Sequence, residues 1–164
     1  MIENIENIIR NILSEAEIGN ALNFVTYLKK NEMEFIRGKG YWKDKFYWIM
    51  NYKNENVCSI LIGPEEKTDP SQWLIWSENS NDNSSHWFEN IILDKYIKEI
   101  AWKNIDFCGN CGYCLGGKCK TIFGKEFNNV CGTTFLFKNP NAETLDFMKK
   151  MIEYRKNEIF KSIG

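Results

Sequence analysis

The sequence predicts a single α+β domain in which an antiparallel sheet packs against N- and C-terminal helices. Apolar residues recur at helical spacing near both ends of the chain, and short runs with strand-like alternation lie between them. No internal repeat or linker divides the 164 residues. We therefore expect one domain over residues 1–164, with a helical segment at 1–30, a β-rich segment at 41–78, a Cys-rich metal loop at 108–131 and a C-terminal helix at 139–160.

The N-terminal segment predicts two helices. Isoleucine and leucine residues recur at helical spacing in the first of them, which makes one face apolar. These residues are Ile2, Ile5, Ile8, Ile9, Ile12 and Leu13. Ser14 and Glu17 then have the spacing of a capping box, so a second helix is expected from Ser14 to about Lys30.

The β-rich segment predicts an antiparallel hairpin followed by a third strand. The alternating run KFYWIMNY is separated from the run VCSILIG by the polar residues KNEN, which favour a turn. The run WLIWSE has the same alternation and predicts the third strand. Within it, Trp73 and Trp76 are expected on opposite faces of the sheet, because successive side chains of a strand point to opposite sides.

The C-terminal half of the chain predicts two more helices. The run LDKYIKEIAW has a short apolar stripe and leads directly into a cluster of cysteines. After that cluster, TTFLF is expected to form a short strand. Asn139 and Pro140 have the residue types that favour the N-cap and the first position of a helix, so the last helix is expected to begin there.

Composition and charge exclude several classes of function. The chain has 43% hydrophobic and 26% charged residues, as globular domains do, and its net charge of −1 predicts no basic surface for direct nucleic-acid binding. Its longest apolar runs are far shorter than the ~20 residues that span a bilayer. The N-terminus, which has acids among its isoleucines, is unlike a signal peptide. We therefore expect a cytoplasmic protein with no membrane segment, whose thiols are kept reduced.

Clustered cysteines are the strongest functional signal in the sequence. They follow the pattern C-x2-C-x2-C-x4-C-x11-C and are Cys108, Cys111, Cys114, Cys119 and Cys131. A C-x2-C turn brings two sulfurs to the same side, and a tetrahedral zinc ion needs four such ligands. We therefore predict one zinc ion, bound by the first two cysteines and by two of the other three.

Other interpretations of these cysteines stay open. Bacterial ferredoxins bind iron–sulfur clusters through C-x2-C-x2-C-x3-C-P, whereas this chain has a gap of four residues and Lys120 in place of the proline. An iron–sulfur or thiol-based redox protein is therefore the alternative to zinc, and free thiols without metal are a third interpretation. Cys58 lies in the apolar run VCSILIG and is expected to be a buried core residue.

The aromatic residues predict either a filled core or a ligand cavity. Aromatic residues make up 15% of the chain, with six tryptophans. If the strands KFYWIMNY and WLIWSE are neighbours, their rings could line a cavity for a small apolar or cationic ligand, since indole faces attract cations. Its walls would be Trp48, Trp73, Trp76 and Trp87. A protein partner is the other candidate for binding, and the alternative is that these indoles simply fill the core.

No catalytic pattern is visible in the sequence. It contains no paired-carboxylate, Ser–His or zincin pattern, and the sole histidine, His86, lies in a polar loop with no partner indicated by spacing. We therefore expect a binding domain without hydrolytic or transferase chemistry of its own.

Three short motifs occur in order within the C-terminal two-thirds of the chain: CGNCG, IFGKEFNNVC and NPNAE. With them the chain resembles a family of uncharacterised small proteins of low-GC anaerobic bacteria, and similar segments lie behind AraC-type regions in some regulators. The resemblance implies a cytosolic sensor-like or accessory domain. It also implies that Cys131 belongs to the family signature and that Cys119 is an addition, which favours Cys131 as the fourth zinc ligand.

Overall fold

The computed structural model of the protein describes residues 4–38, 45–64, 68–77, 91, 93–109 and 116–163. These ranges contain four helices and one seven-stranded sheet, which confirms the predicted α+β class. The helices are α1 (Ile5–Ile12), α2 (Glu15–Lys30), α3 (Lys95–Lys103) and α4 (Ala142–Ile163). The strands are β1 (Glu34–Arg37), β2 (Phe46–Tyr52), β3 (Glu55–Ile62), β4 (Trp73–Ser77), β5 (Ile105–Phe107), β6 (Lys118–Ile122) and β7 (Lys125–Lys138).

The strand order of the sheet places the cysteine-bearing strands next to one another. The order is β1-β2-β3-β4-β7-β5, β6 also pairs with β7, and these pairings are antiparallel. Phe107 of β5 and Lys118 of β6 both pair with Val130 of β7. Val130 therefore has a partner strand on each side, so β5 and β6 lie along opposite edges of β7 at this residue.

The helices pack on one face of the sheet. Trp48, Ile60 and Ile75 form a row across β2, β3 and β4, and all three belong to the core that the helices share. From α4, Phe147 and Ile152 enter the same core, and both are at least 97% buried. Burial of these apolar side chains is the main stabilising contribution to the fold.

The opposite face of the sheet, called the far face below, is apolar as well. Tyr47, Leu61 and Leu74 form the row next to the helix-facing one, and strand alternation turns their side chains away from the helices. Leu61 and Leu74 are 1% and 0% exposed, although neither belongs to the core shared with the helices. Both sides of the central strands therefore exclude water.

The predicted hairpin and third strand are confirmed. β2 and β3 pair in antiparallel register, and the chain turns at Lys53 and Asn54. These two residues have φ angles of 50° and 67°, as the central residues of a type I′ turn do. The run WLIWSE includes β4, and LDKYIKEIAW includes α3 up to its last residue but one, as expected.

Four strands differ from the sequence prediction, and two of them, β5 and β6, lie in segments for which no strand was expected. β1 was not predicted, because its four residues EFIR are too short for a clear alternation. β7 begins at Lys125 rather than at TTFLF, and it forms a hairpin with β6. The segment 108–131 is therefore only partly a loop. Positive φ angles at Asn129 and Thr134, 60° and 62°, interrupt β7 and hide its period-two pattern.

The helix starts also differ from prediction in their hydrogen bonds. Ser14 is the N-cap of α2, but its side chain makes no capping hydrogen bond. Glu17 instead accepts a hydrogen bond from the indole N–H of Trp73 at 2.8 Å. α4 begins after Asn141, whose side chain accepts from a first-turn N–H at 2.9 Å. Asn139, the expected N-cap, accepts from the backbone N–H of Trp73 and so holds the start of β4.

α4 is the longest of these helices, with 22 residues, and its outer side carries lysine and glutamate residues. Its buried residues are Leu145, Phe147, Met148, Met151, Ile152, Arg155 and Ile159. None of the helices in the described ranges is long and apolar enough to cross a membrane.

Candidate metal centre

Cys108 and Cys131 lie on the same face of adjacent strands. Cys108 follows β5, and its backbone N–H donates to the carbonyl of Asn129 on β7 at 2.8 Å. Phe107 pairs with Val130, so these two side chains lie on one face of the sheet. Successive side chains of a strand alternate, so Cys108 and Cys131, which follow them, point to the other face. That face is the far face, because Val130 belongs to the core shared with the helices.

Asp106 and Thr133 complete a small polar group around Cys131. The thiol of Cys131 and the hydroxyl of Thr133 both donate hydrogen bonds to the carboxylate of Asp106, the latter at 3.0 Å. Asp106 precedes Cys108 by two residues, so alternation puts them on one face. Burial raises the pKa of Asp106, and these two hydrogen bonds oppose the rise. We call these four residues the cysteine face.

Cys119 has different surroundings. It is exposed on β6, which lies across β7 from β5, and its thiol is hydrogen-bonded to Glu126. Desolvation and the adjacent Glu126 carboxylate raise the pKa of the Cys119 thiol. A thiol with a raised pKa forms the metal-binding thiolate less readily.

Cys111 and Cys114 lie outside the described residues, as do His86 and Trp87. In the sequence, Cys111 is two residues from Gly109, and Cys114 is two residues from Gly116. Gly109 continues from β5 and Gly116 leads into β6, the two strands that flank β7 at the residue before Cys131.

Among the residues that the structure describes, no three His, Cys, Asp or Glu side chains are grouped so that they could hold a metal ion. Asp106, Cys108 and Cys131 thus do not form such a group by themselves, and a four-cysteine site would also require Cys111 and Cys114, which lie outside the described residues.

Gly117 holds the start of β6 tightly against β7. A Cβ atom at this position would lie 2.7 Å from the carbonyl carbon and 2.8 Å from the Cα of Asn129. Only glycine allows this approach of two backbones. Asn129 is also the residue that anchors Cys108, so the close contact fixes the spacing between β5, β7 and β6.

The structure separates the tryptophans that the sequence placed in one cavity wall. Trp48 and Trp73 face the helices and are 4% and 0% exposed. Trp76 lies on the far face, where its ring meets Tyr47 edge-on with centroids 6.2 Å apart. The expectation of one common wall is therefore corrected for these three tryptophans, because strand alternation puts them on opposite faces. A site on the Trp76 side that includes Trp87 stays a prediction.

Asp106 and Thr133 of the cysteine face were not predicted from the sequence. Asp106 could have been noted from IDFC, where an acid stands two residues before a cysteine and thus on the same side of a strand. No local signal marks Thr133, since its contact with Asp106 depends on how β7 pairs with β5.

Comparisons with protein-family models, curated proteins and solved structures find no match to this chain. The family resemblance inferred from the motifs therefore stays a prediction.

Proposed function

We propose that this protein is a zinc-binding module that has no catalysis of its own. The proposed ligands are Cys108, Cys111, Cys114 and Cys131. The observation that carries the proposal is the placement of Cys108 and Cys131 on one face of the adjacent strands β5 and β7, with the short segment that bears the other two cysteines joined to β5 at one end and to β6 at the other. Four thiolates make a closed tetrahedral set, which is typical of structural zinc.

Cys131 suits this ligand set better than Cys119. Cys131 shares the cysteine face with Cys108, whereas Cys119 is exposed and hydrogen-bonded to Glu126. Zinc binding would release the proton that Cys131 donates to Asp106. The hydroxyl of Thr133 would still hold the Asp106 carboxylate in place beside the sulfur, as groups around metal ligands commonly do.

A zinc ion held in this way would link β5, β7 and the segment between Gly109 and Gly116. Such a link would stabilise the end of the sheet farthest from β1. In this proposal the metal supports the fold, and the activity of the domain is the binding of a small apolar or cationic ligand or of a protein partner.

The proposal is tested by elemental analysis of protein purified anaerobically without chelator. We expect about one zinc per chain in the wild type and in the Cys119→Ser control, and loss of most of the zinc in Cys108→Ser and Cys131→Ser. Each variant is checked for folding by circular dichroism. A brown protein that contains iron would support the iron–sulfur alternative instead. Protein without bound metal, or a Cys131→Ser variant that keeps its zinc, would contradict the proposed ligand set.

Gly117→Ala is expected to weaken zinc binding by about tenfold and to destabilise the domain by about 2 kcal/mol. The added methyl group would push against the backbone of Asn129 and displace the strand that anchors Cys108. Competition with a chromogenic chelator measures the affinity, and denaturant unfolding measures the stability. Gly109→Ala is the matched control, because a Cβ atom there meets nothing within 4 Å. Equal effects of the two substitutions would show that the Gly117 contact does not position the site.

A further inference from the structure

A groove between α3 and α4 contains a cavity of about 200 Å³. The side chains that line it are Tyr96, Ile97 and Ile100 of α3, and Glu143, Asp146, Phe147 and Lys150 of α4. The groove lies on the helix-covered side of the sheet, whereas Cys108 and Cys131 face the other side. A function of this groove is therefore independent of the zinc proposal.

The floor of the groove is apolar. Ile97 and Ile100 are partly buried and pack against the core, and Phe147 is 3% exposed. An apolar surface of this kind favours the apolar body of a ligand, because contact removes that body from water. Small-molecule sites typically combine such a floor with a few polar groups that fix orientation.

The rim of the groove has charge of opposite sign at its two ends. Tyr96 is 59% exposed, and its hydroxyl donates a hydrogen bond across the groove to the carboxylate of Glu143. Asp146 lies one turn further along α4, between Glu143 and Lys150, so two carboxylates and an aromatic ring line one half of the groove. Lys150 lies at the other end, about 10 Å from Glu143 along the helix axis. The lining residues together have a net charge of −1.

We propose that this groove binds a small organic cation that has a single ammonium group and an apolar body. The ammonium would lie between Glu143 and Asp146 beside the ring of Tyr96, and the apolar body would lie on Ile97 and Ile100. Charge-assisted hydrogen bonds to carboxylates and the face of an aromatic ring both favour a cation. Lys150 disfavours a second positive charge at the far end, and the paired carboxylates disfavour an anion.

The test uses three probes of similar shape and different charge: phenethylammonium, 2-phenylethanol and 3-phenylpropanoate. Binding to the full chain is followed by chemical-shift changes in protein NMR spectra at pH 7. We expect phenethylammonium to bind in the millimolar range or more tightly, with shifts at Ile97 and Ile100. The neutral and anionic probes are expected to bind at least about tenfold more weakly.

Substitutions test whether the carboxylates of Glu143 and Asp146 bind the ammonium group. The double substitution Glu143→Gln and Asp146→Asn is expected to weaken phenethylammonium binding by about tenfold or more, whereas Glu99→Gln, on an exposed part of α3 outside the lining, is expected to leave it unchanged. If the double variant does not fold, Ile97→Trp, which fills the groove, is expected to abolish binding instead. Equal binding of the three probes, no binding of phenethylammonium at tens of millimolar, or unchanged binding in these variants would overturn the proposal.

Discussion

Removal of zinc is expected to lower the thermal unfolding temperature of this protein by roughly 8–16 °C. A ligand whose free concentration is a thousand times its Kd stabilises the native state by about 4 kcal/mol. We expect a structural zinc ion to contribute at least this much. The metal is proposed to link β5, β7 and the segment between Gly109 and Gly116. Without it, the cross-link is lost, and the pairing of β5 with β7 and the hydrogen bond from Cys108 to Asn129 have to hold β5 in place. Calorimetry of protein with and without a zinc chelator, both in the presence of a phosphine reductant, measures the effect.

The cysteine variants provide the control for this experiment. Cys119→Ser is expected to keep the full response to chelator, because Cys119 is outside the proposed ligand set. Cys108→Ser is expected to unfold at about the temperature of the metal-free wild type and to show no further response. A wild-type unfolding temperature that does not change on metal removal would contradict a structural role for zinc.

Phe135→Ala is expected to destabilise the domain by about 4 kcal/mol, which corresponds to a decrease of roughly 8–16 °C in Tm. Phe135 is fully buried at the centre of an aromatic cluster on β7. Its ring stacks with those of Phe123 and Phe137 at centroid distances of 6.3 and 6.2 Å, and it meets Phe147 of α4 edge-on at 5.9 Å. Truncation to alanine would leave a cavity between the sheet and α4, because the close-packed side chains around it cannot move far enough to fill the space.

The matched control for this substitution is Phe160→Ala. Phe160 is 63% exposed near the end of α4, so its truncation is expected to change stability by less than about 0.5 kcal/mol. Denaturant unfolding of the two variants under identical conditions measures the difference. Similar losses in both variants would mean that the cluster around Phe135 does not have the packing described.

The elements predicted correctly from the sequence are those whose period is largely uninterrupted. The central strands β2 and β3 have one register shift, between Met50 and Asn51 near the turn at Lys53 and Asn54, and the terminal helices bury apolar residues at helical spacing. β7 was only partly predicted, because left-handed backbone at Asn129 and Thr134 shifts its alternation. The start of α4 was placed at Asn139, since side-chain type alone does not reveal that this residue bonds to β4 instead.

The candidate metal centre shows a similar limit. Spacing alone indicated which cysteines are close along the chain, but it did not distinguish Cys119 from Cys131 as a fourth ligand. That distinction depends on the pairing of Phe107 with Val130, a contact between residues far apart in sequence. The association of Asp106 with Cys131 depends on the same register. For the tryptophans, alternation in WLIWSE correctly placed Trp73 and Trp76 on opposite faces, and it is this alternation that prevents them from lining one cavity.

In the proposed metal centre, one zinc ion is bound by four cysteine sulfurs. X-ray absorption at the zinc K-edge of the purified protein tests it most directly, because the first coordination shell reports both the type and the number of ligands. We expect four sulfur atoms at about 2.3 Å and no nitrogen or oxygen ligand. A first shell of nitrogen or oxygen atoms at about 2.0–2.2 Å, or protein that contains no zinc to measure, would contradict it.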